Sequence, residues 1–434
     1  MSDKKNCPEV KVAILGIGTV GGGTYKLISR QAEELPDKTG ARVSVKKVLV
    51  RNLNKERPGI PKEILTDDWN SILQDEEIRV VIELMGGIEP AKTYISEALK
   101  AGKQVVTANK DLLAEYGEEL TELATENGCD LMFEAAVAGG IPIIRPLKNS
   151  LVGNHITEVM GIVNGTTNFI LTKMSREGLD YETALAQATE LGYAEADPTA
   201  DVEGLDAGRK MAIMASVAFH SRVVSSDVYT EGITAITPKD IRYAKEFGYE
   251  IKLLGLARHV ADGIEVKVHP MLIPSTHPLA TVSDAFNAVF VHGDAVDDTM
   301  FYGRGAGEFP TASAVLGDVV DEVRHILGNS TGHCNGSFYK TVPVKDIGDT
   351  ESRFFLRIQV EDKPGVLAGI CSVLGNNGVS IAQVVQKKKT RGAGGAELVI
   401  ITDSVIEKHF QDALTIFKSM SMVRKISSVI RVYE

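Results

Sequence analysis

Long apolar runs are missing from this 434-residue chain, and none reaches the roughly 20 residues of a membrane-spanning helix, which argues against insertion into a bilayer. Cysteine is scarce. Cys7, Cys129, Cys334 and Cys371 lie far apart in no C-x-x-C or His-paired spacing, so neither a disulfide framework nor a zinc site is suggested, and they read as reduced thiols. The nine histidines form no H-E-x-x-H pattern, so a catalytic transition metal is not indicated. Positive charge is in deficit, with a net charge of −11 that argues against nucleic acid as a partner. From Arg353 onward, however, twelve Lys and Arg face seven Asp and Glu, a surplus of +5 that leaves −16 on the residues before it. That change of sign marks a domain boundary. The start, MSDKKNCPEVK, has neither the apolar core of a signal peptide nor an Arg-rich transit pattern, and the expected location is the cytoplasm.

What is present is enough chain for about three domains. Glu9 to Leu15 is an apolar strand that runs into Gly16-Ile-Gly-Thr-Val-Gly21 and then a helical segment from Thr24 to Leu35. In a strand, glycine turn and helix of this kind Gly16 makes the turn, Gly18, Thr19 and Val20 present backbone to a pyrophosphate, and Gly21 lets helix and strand pack closely. A dinucleotide cofactor is expected. The second strand, Val43 to Val50, ends at Arg51, where an acid would suit the ribose hydroxyls of NAD; arginine, with Lys55 and Arg57 behind it, suits the 2′-phosphate of NADP. NADP is therefore favoured and NAD stays open. Further strands at Val80–Leu84, 104–106 and Leu131–Phe133, separated by helices, predict a doubly wound parallel sheet of Rossmann type. Lys110 falls just past a strand end, where such sheets bind ligands.

After Glu134 the small, Pro-punctuated AAVAGGIPIIRPL reads as a hinge into an α+β region. The expected divisions are a dinucleotide domain over 1–138, to which the helix 311–328 returns, an α+β domain over 139–310, a polar, mobile linker over 329–352, and a compact unit over 353–434. In the last, Phe354, Leu356, Ile358 and Val360 alternate as in a half-buried strand, and the pattern that follows gives the order βαββαβ of a ferredoxin-like fold. A basic, glycine-rich loop at 387–395 joins two of its strands. Around Pro364 the turn Asp362–Gly365 offers free N–H groups to a carboxylate, and Asn376, Asn377 and Ser380 offer neutral partners; an effector site on Gly365, Asn377 and Ser380 is expected. A unit that only assembles subunits through its sheet edge is the other open reading.

The stretch LGYAEADPTADVEGLDAGRKMAIMASVAFH, 191–220, concentrates the most chemistry. Met211 to Phe219 is apolar all round and predicts a buried helix. Asp206 and Lys210 share one face at a spacing of four, and Glu195, Asp197 and Asp201 crowd the helix start. Two readings stand open: carboxylates gathered by the helix dipole, or a site for a small zwitterion whose ammonium meets the acids while the lysine acts on an oxygen.

GIGTVGGG, TANKDLLAEYG, FEAAVAGGIPII, GIVNGTTNFIL, LGYAEADPTADVEGLDAGRK and GRGAGEFPTASAV, in this order, resemble the homoserine dehydrogenase family over nearly the whole chain, and EDKPGVLAGI resembles an ACT domain. With no aspartate-kinase domain before the glycine loop, the resemblance is to the monofunctional form. It implies that Lys110 and Lys210 flank the reacting carbonyl with Lys210 as acid and base, that Glu195 and Asp201 hold the substrate amino group, and that Asp206 supports the lysine. It further implies a sodium site on Glu134 and the carbonyls of Val137, Gly139 and Ile141, a loop at Gly305 closing on the nicotinamide, threonine as allosteric effector, and a homodimer or homotetramer. Asp403, where related ACT-bearing enzymes commonly carry His, departs from the pattern. A dehydrogenase of another small amino acid and a non-enzymatic NAD(P) and amino-acid sensor are the alternatives, and paired lysines argue against the sensor.

Overall fold

The computed structural model describes residues 7–333, 338–388 and 395–433. Residues 1–6, Cys334 and the basic loop tip 389–394, all interpreted above, lie outside these. The chain divides into two units, one of Met1–Val159, Arg209–Val228 and Asn287–Val342, the other of Met160–Gly208, Tyr229–Phe286 and Pro343–Glu434.

The first unit holds the Rossmann sheet. Strands β1 (Glu9–Leu15), β2 (Arg42–Leu49), β3 (Leu65–Thr66), β4 (Ile78–Glu83), β5 (Gln104–Thr107) and β6 (Leu131–Met132) lie in the order β3-β2-β1-β4-β5-β6, every pair parallel. Val12 to Leu15 are wholly buried, as expected of a central parallel strand covered on both faces. The first helix, Thr19–Arg30, begins inside the glycine run and not at Thr24. Glycine's poor helix propensity hides that start, but a Cβ on Gly23 would come within 3.2 Å of the Ala312 methyl and closer still to the Glu308 backbone. The long helix Glu308–Gly328 seats there, and its Ala312, Val315, Leu316, Val319 and Val323 join the sheet's core.

A strand β7 (Ile156–Ile162) crosses the division between units. In the second unit β8 (Tyr229–Thr230) lies on β10 (Gly263–Pro274), which forms a long antiparallel hairpin with β9 (Tyr249–Val260). In the first, β11 (Phe286–Gly293) pairs with β12 (Asp297–Arg304). Two helices of the second unit, Gly165–Glu177 and Pro238–Glu246, have no counterpart in the sequence reading. Each starts at a side-chain cap, Asn164 and Thr237 respectively.

The ACT domain has β13 (Glu351–Val360), a helix Val366–Asn376, β14 (Ile381–Lys388), β15 (Ala396–Thr402), a short β16 (Val405–Ile406), a helix Glu407–Ser419 and β17 (Val423–Val432). Its sheet runs β17-β13-β15-β14. Strand β13 is buried on both faces, not half-buried, because the face away from its own helices meets the helix Pro238–Glu246. Arg357 on that face bonds Asp240 Oδ1 at 2.8 Å and Glu397 at 3.2 Å, all three nearly fully buried. At the other margin β17 pairs in parallel with β10 through Met271 and Leu272, so one edge of the ACT sheet is covered by the catalytic domain. The described part of the expected linker is fastened. Lys340 N–H donates to His220 and Val342 N–H to Ser221, while Lys345 N–H and Pro343 O pair with Ile264. Among the described residues no helix is long and apolar enough to cross a membrane.

Candidate active site

The glycine turn meets the demands of a dinucleotide. Gly16 has a left-handed φ of 89° at the end of β1, and any Cβ there would lie 2.9 Å from the Leu84 carbonyl oxygen. Gly21 packs so closely that its Cβ would fall 2.2 Å from the Gly16 oxygen, whereas Gly18, the N-cap of the first helix, faces open space. That space, beside the helix N–H groups of Thr19 and Val20, is where a pyrophosphate fits. Arg51 is exposed just beyond β2, but Arg57 turns back to donate to the carbonyls of Asn52 and Lys55, leaving Arg51 and Lys55 as the cations open to a 2′-phosphate.

At the C-terminal ends of β4 and β5 a buried network holds the loop before Lys110. The Glu83 carboxylate accepts from Met85 N–H and from the Thr107 hydroxyl, and Asn109 donates to the Gly87 carbonyl while capping the helix Lys110–Glu126. Sequence reasoning passed over Glu83, Thr107 and Asn109; a polar residue closing an apolar strand was the available signal. Lys210 is half-buried in the helix Leu205–Phe219, whose residues 211–219 are all buried. Its neighbour Arg209 lies 3.3 Å from a carboxylate oxygen of Asp111, the residue after Lys110. This pair brings the segments bearing the two lysines together.

Glu134 gives its carboxylate to three backbone N–H groups, of Ile143, Ile144 and Arg145. Beside it, burial and then the Glu134 charge push the Asp318 carboxyl up to about 7. Val137 and Ile141 are buried, Ala138 and Gly139 are both left-handed, and a Cβ on Gly139 would strike the Gly305 carbonyl at 2.3 Å. The candidate cation loop therefore packs directly on the loop of Gly305, itself pressed against Asn287.

In the second unit Asn164 gathers the acids. Its Nδ2 donates to Asp201 Oδ1 at 2.6 Å and to Asp206 Oδ2 at 2.9 Å, while its Oδ1 caps the helix Gly165–Glu177. Asp197 is spent on Thr199, as the dipole and capping reading has it. Glu195 is exposed and makes no side-chain hydrogen bond or ion pair among the described residues. Asn164 was missed, although N-G-T-T after a strand is a helix-start signal.

Family models match in three blocks: the homoserine dehydrogenase NAD binding domain over residues 16–134, homoserine dehydrogenase over 142–320 and the ACT domain over 354–420. A homoserine dehydrogenase of Bacillus subtilis is 46% identical over 424 residues, 98% of each chain. The chain belongs to the homoserine dehydrogenase family. A solved homoserine dehydrogenase from Thiobacillus denitrificans shares 41% identity over 98% of both chains with a TM-score of 0.92. A hyperthermophilic archaeal homoserine dehydrogenase mutant, solved in complex with NADPH, shares 26% over 72% of this chain and 97% of its own, with a TM-score of 0.62. The family is one of NAD(P)-dependent oxidoreductases, which this chain therefore is, and the sensor reading falls away.

For the ACT domain of this homoserine dehydrogenase family member, the geometry separates the expected effector residues. Gly365, φ 89°, caps the start of the helix Val366–Asn376, and Asn377 caps its end, with Nδ2 donating to the Val373 carbonyl. Eleven helical residues put them about 16 Å apart. One chain thus does not gather Gly365 and Asn377 around a single small ligand; Ser380 is exposed near the latter. The departure at Asp403 is also exposed, its N–H bonded to Ser380.

Proposed function

We propose that Lys210 is the general acid and base for the activity that family membership gives this chain, the reversible NAD(P)-dependent interconversion of L-homoserine and L-aspartate 4-semialdehyde in threonine and methionine biosynthesis. The observation that carries this reading is the Arg209–Asp111 pair, which sets the segment of Lys210 against that of Lys110 at the open end of the parallel sheet. A nicotinamide cofactor held at the glycine turn of Gly16, Gly18 and Gly21 would supply the hydride acceptor for the hydroxymethyl carbon of homoserine. Lys210 takes the hydroxyl proton as the carbonyl forms, and in the reverse direction returns it to the developing alkoxide. Lys110 adds positive charge beside the same oxygen. Asp201, Asp206 and the exposed acid Glu195 supply the negative charge that a substrate ammonium needs, and Asn164 keeps the first two in place.

NADP is the preferred cofactor in this reading, on Arg51 and Lys55, and the archaeal relative solved with NADPH supports it. Sodium at Glu134 with the carbonyls of Val137, Gly139 and Ile141 would brace the Gly305 loop. Threonine acts through the ACT domain, with Gly365 of one chain and Asn377 and Ser380 of another forming the pocket in a homodimer or homotetramer. The deciding assay is homoserine-dependent reduction of NADP at alkaline pH by the full-length protein: turnover is expected in the wild type and its near-complete loss in Lys210→Ala. Equal turnover in both would remove Lys210 from the mechanism.

A further inference from the structure

Near the C-terminal end of the helix Glu308–Gly328 lies a buried carboxylate with no hydrogen bond from the described residues. Glu322 is 0% exposed, and neither of its side-chain oxygens has a hydrogen-bond partner among the described residues. An unpaired carboxylate in the interior is costly, and such an atom in a folded protein calls for an ion, a water or a proton. Glu322 does not stand alone. One turn on, His325 shares its helix face, a Glu-x-x-His spacing that presents two metal-binding side chains side by side. From the segment entering β6, Asp130, also 0% exposed, brings a third donor. One ligand atom from each of Asp130, Glu322 and His325 falls within 4.8 Å of the others.

We propose that Asp130, Glu322 and His325 form a buried site for a divalent transition-metal ion that fixes the last turns of the helix Glu308–Gly328 to the edge of the parallel sheet. The donor set decides the class of ion. Two carboxylates balance a dication, and an imidazole favours zinc, iron or nickel over magnesium, which keeps to oxygen ligands and water. At metal–ligand bonds of about 2.1 Å, donors spaced tetrahedrally are about 3.4 Å apart, so the observed set needs side-chain movements of around an ångström at most. The supports behind the ligands are already built. Asp130 Oδ2 lies 2.8 Å from His325 Nδ1, its Oδ1 accepts from Gly332 N–H at 2.9 Å, and its own N–H is held by Gln104 at 2.7 Å. The Gly332 and Gln104 bonds orient a ligand carboxylate in the manner of outer-shell partners at metal sites, while the Asp130–His325 contact joins two of the ligands themselves. None of the three is a residue assigned to catalysis or to the sodium reading, although Asp318, one turn before Glu322, accepts the Glu134 N–H.

The test uses full-length protein stripped with EDTA, then given two equivalents of Zn²⁺ and passed through a desalting column. The wild type is expected to keep about one zinc per chain and to unfold at least about 3 °C higher than the stripped protein. Glu322→Gln keeps the shape and removes the charge, so it folds even if Glu322 is merely a buried neutral acid; it is expected to lose both the zinc and the rise in midpoint. His325→Ala should do the same. Zinc uptake that is equal in wild type and Glu322→Gln would place the metal elsewhere, for example at the exposed His292 and Asp298, and overturn the proposal. So would a wild type that retains no zinc, or a midpoint that rises equally with Mg²⁺ alone.

Discussion

Asn164 donates a 2.9 Å hydrogen bond to Asp206, and the same amide nitrogen reaches Asp201 at 2.6 Å. Asp206 is only 8% exposed, so loss of the amide takes one hydrogen-bond donor from a carboxylate in the interior. Asn164→Ala is expected to lower stability by about 1–3 kcal/mol and to raise KM for homoserine as the acids lose their alignment. Urea unfolding and steady-state kinetics measure the two. A variant with normal stability and normal KM would show that the amide does not organise these acids.

Lys210 and Glu195 should separate in kinetics. Lys210→Ala is expected to lower kcat by about 10²-fold or more, as for loss of a general acid, with cofactor affinity barely changed. Glu195→Gln removes a charge that contacts the ammonium in ground and transition states alike, so KM should rise with kcat kept. If kcat falls while KM stays put, Glu195 is not a binding residue.

How much of this could be read from the chain depended on the range of each contact. Strand β1 and the buried half of the helix Leu205–Phe219 were plain, since an apolar run and its flanking glycines state their own environment. Asn164 was not, because an asparagine beside a glycine gives no hint that two aspartates 37 and 42 residues on will share its amide. Strand β13 was read as half-buried for the same reason. Its second face is covered by a helix 117 residues away, and Arg357 at its centre reads as a surface residue until Asp240 is seen. For the effector residues the sequence does not show the distance: Gly365 and Asn377 lie at opposite ends of the helix between them.

Cofactor choice should rest on Arg51 and not on Arg57. The Arg57 guanidinium is committed to the carbonyls of its own loop, at 2.9 and 2.7 Å, whereas Arg51 is exposed at the strand end. Arg51→Asp is expected to lower kcat/KM for NADP by about tenfold or more, an effect of about 1.4 kcal/mol or greater, while leaving NAD little changed. An unaltered ratio of the two cofactors would mean that Arg51 does not read the ribose.

Two buried lysines predict the response to alkali. Lys252 and Lys267 are 5% and 2% exposed, and burial pushes both ammonium groups down to about 8. Below pH 8 both are charged whether the chain is folded or not, and the full cost of burying the charge is present. Between about pH 8 and 10.4 the unfolded chain holds protons that the folded one has released, so these two groups make stability rise with pH, by up to about 3 kcal/mol each. Lys267→Met should be more stable than wild type at pH 7 and show a flatter rise. Denaturant unfolding at a series of pH values checks it, and a wild-type slope in the variant would exonerate Lys267.

Removal of the ACT domain is the most demanding test of the second unit. A polar, mobile linker over 329–352 predicts that truncation after Leu327 keeps catalysis if the protein stays folded and loses inhibition by threonine. The structure changes the first half of that expectation. Strand β17 pairs with β10, Arg357 neutralises the fully buried Asp240, and Arg431 bonds Glu231 of the catalytic domain as well as Glu407 of its own. Cutting the chain strips a neighbour from β10 and leaves Asp240 without its cation; breaking a buried pair in this way costs about 3–5 kcal/mol. The truncated protein is therefore expected to unfold at a lower temperature and to lose activity through instability. Arg357→Met in the full-length chain reproduces the loss of the buried pair while keeping the sheet intact. It should fall between wild type and truncation in thermal midpoint, and it should still respond to L-threonine if the effector binds at the ends of the Val366–Asn376 helix. A truncated protein as stable as the full chain would show that the shared sheet and the Arg357 pair contribute nothing to the catalytic domain, and a full-length enzyme insensitive to millimolar threonine would leave the ACT domain with this supporting role alone.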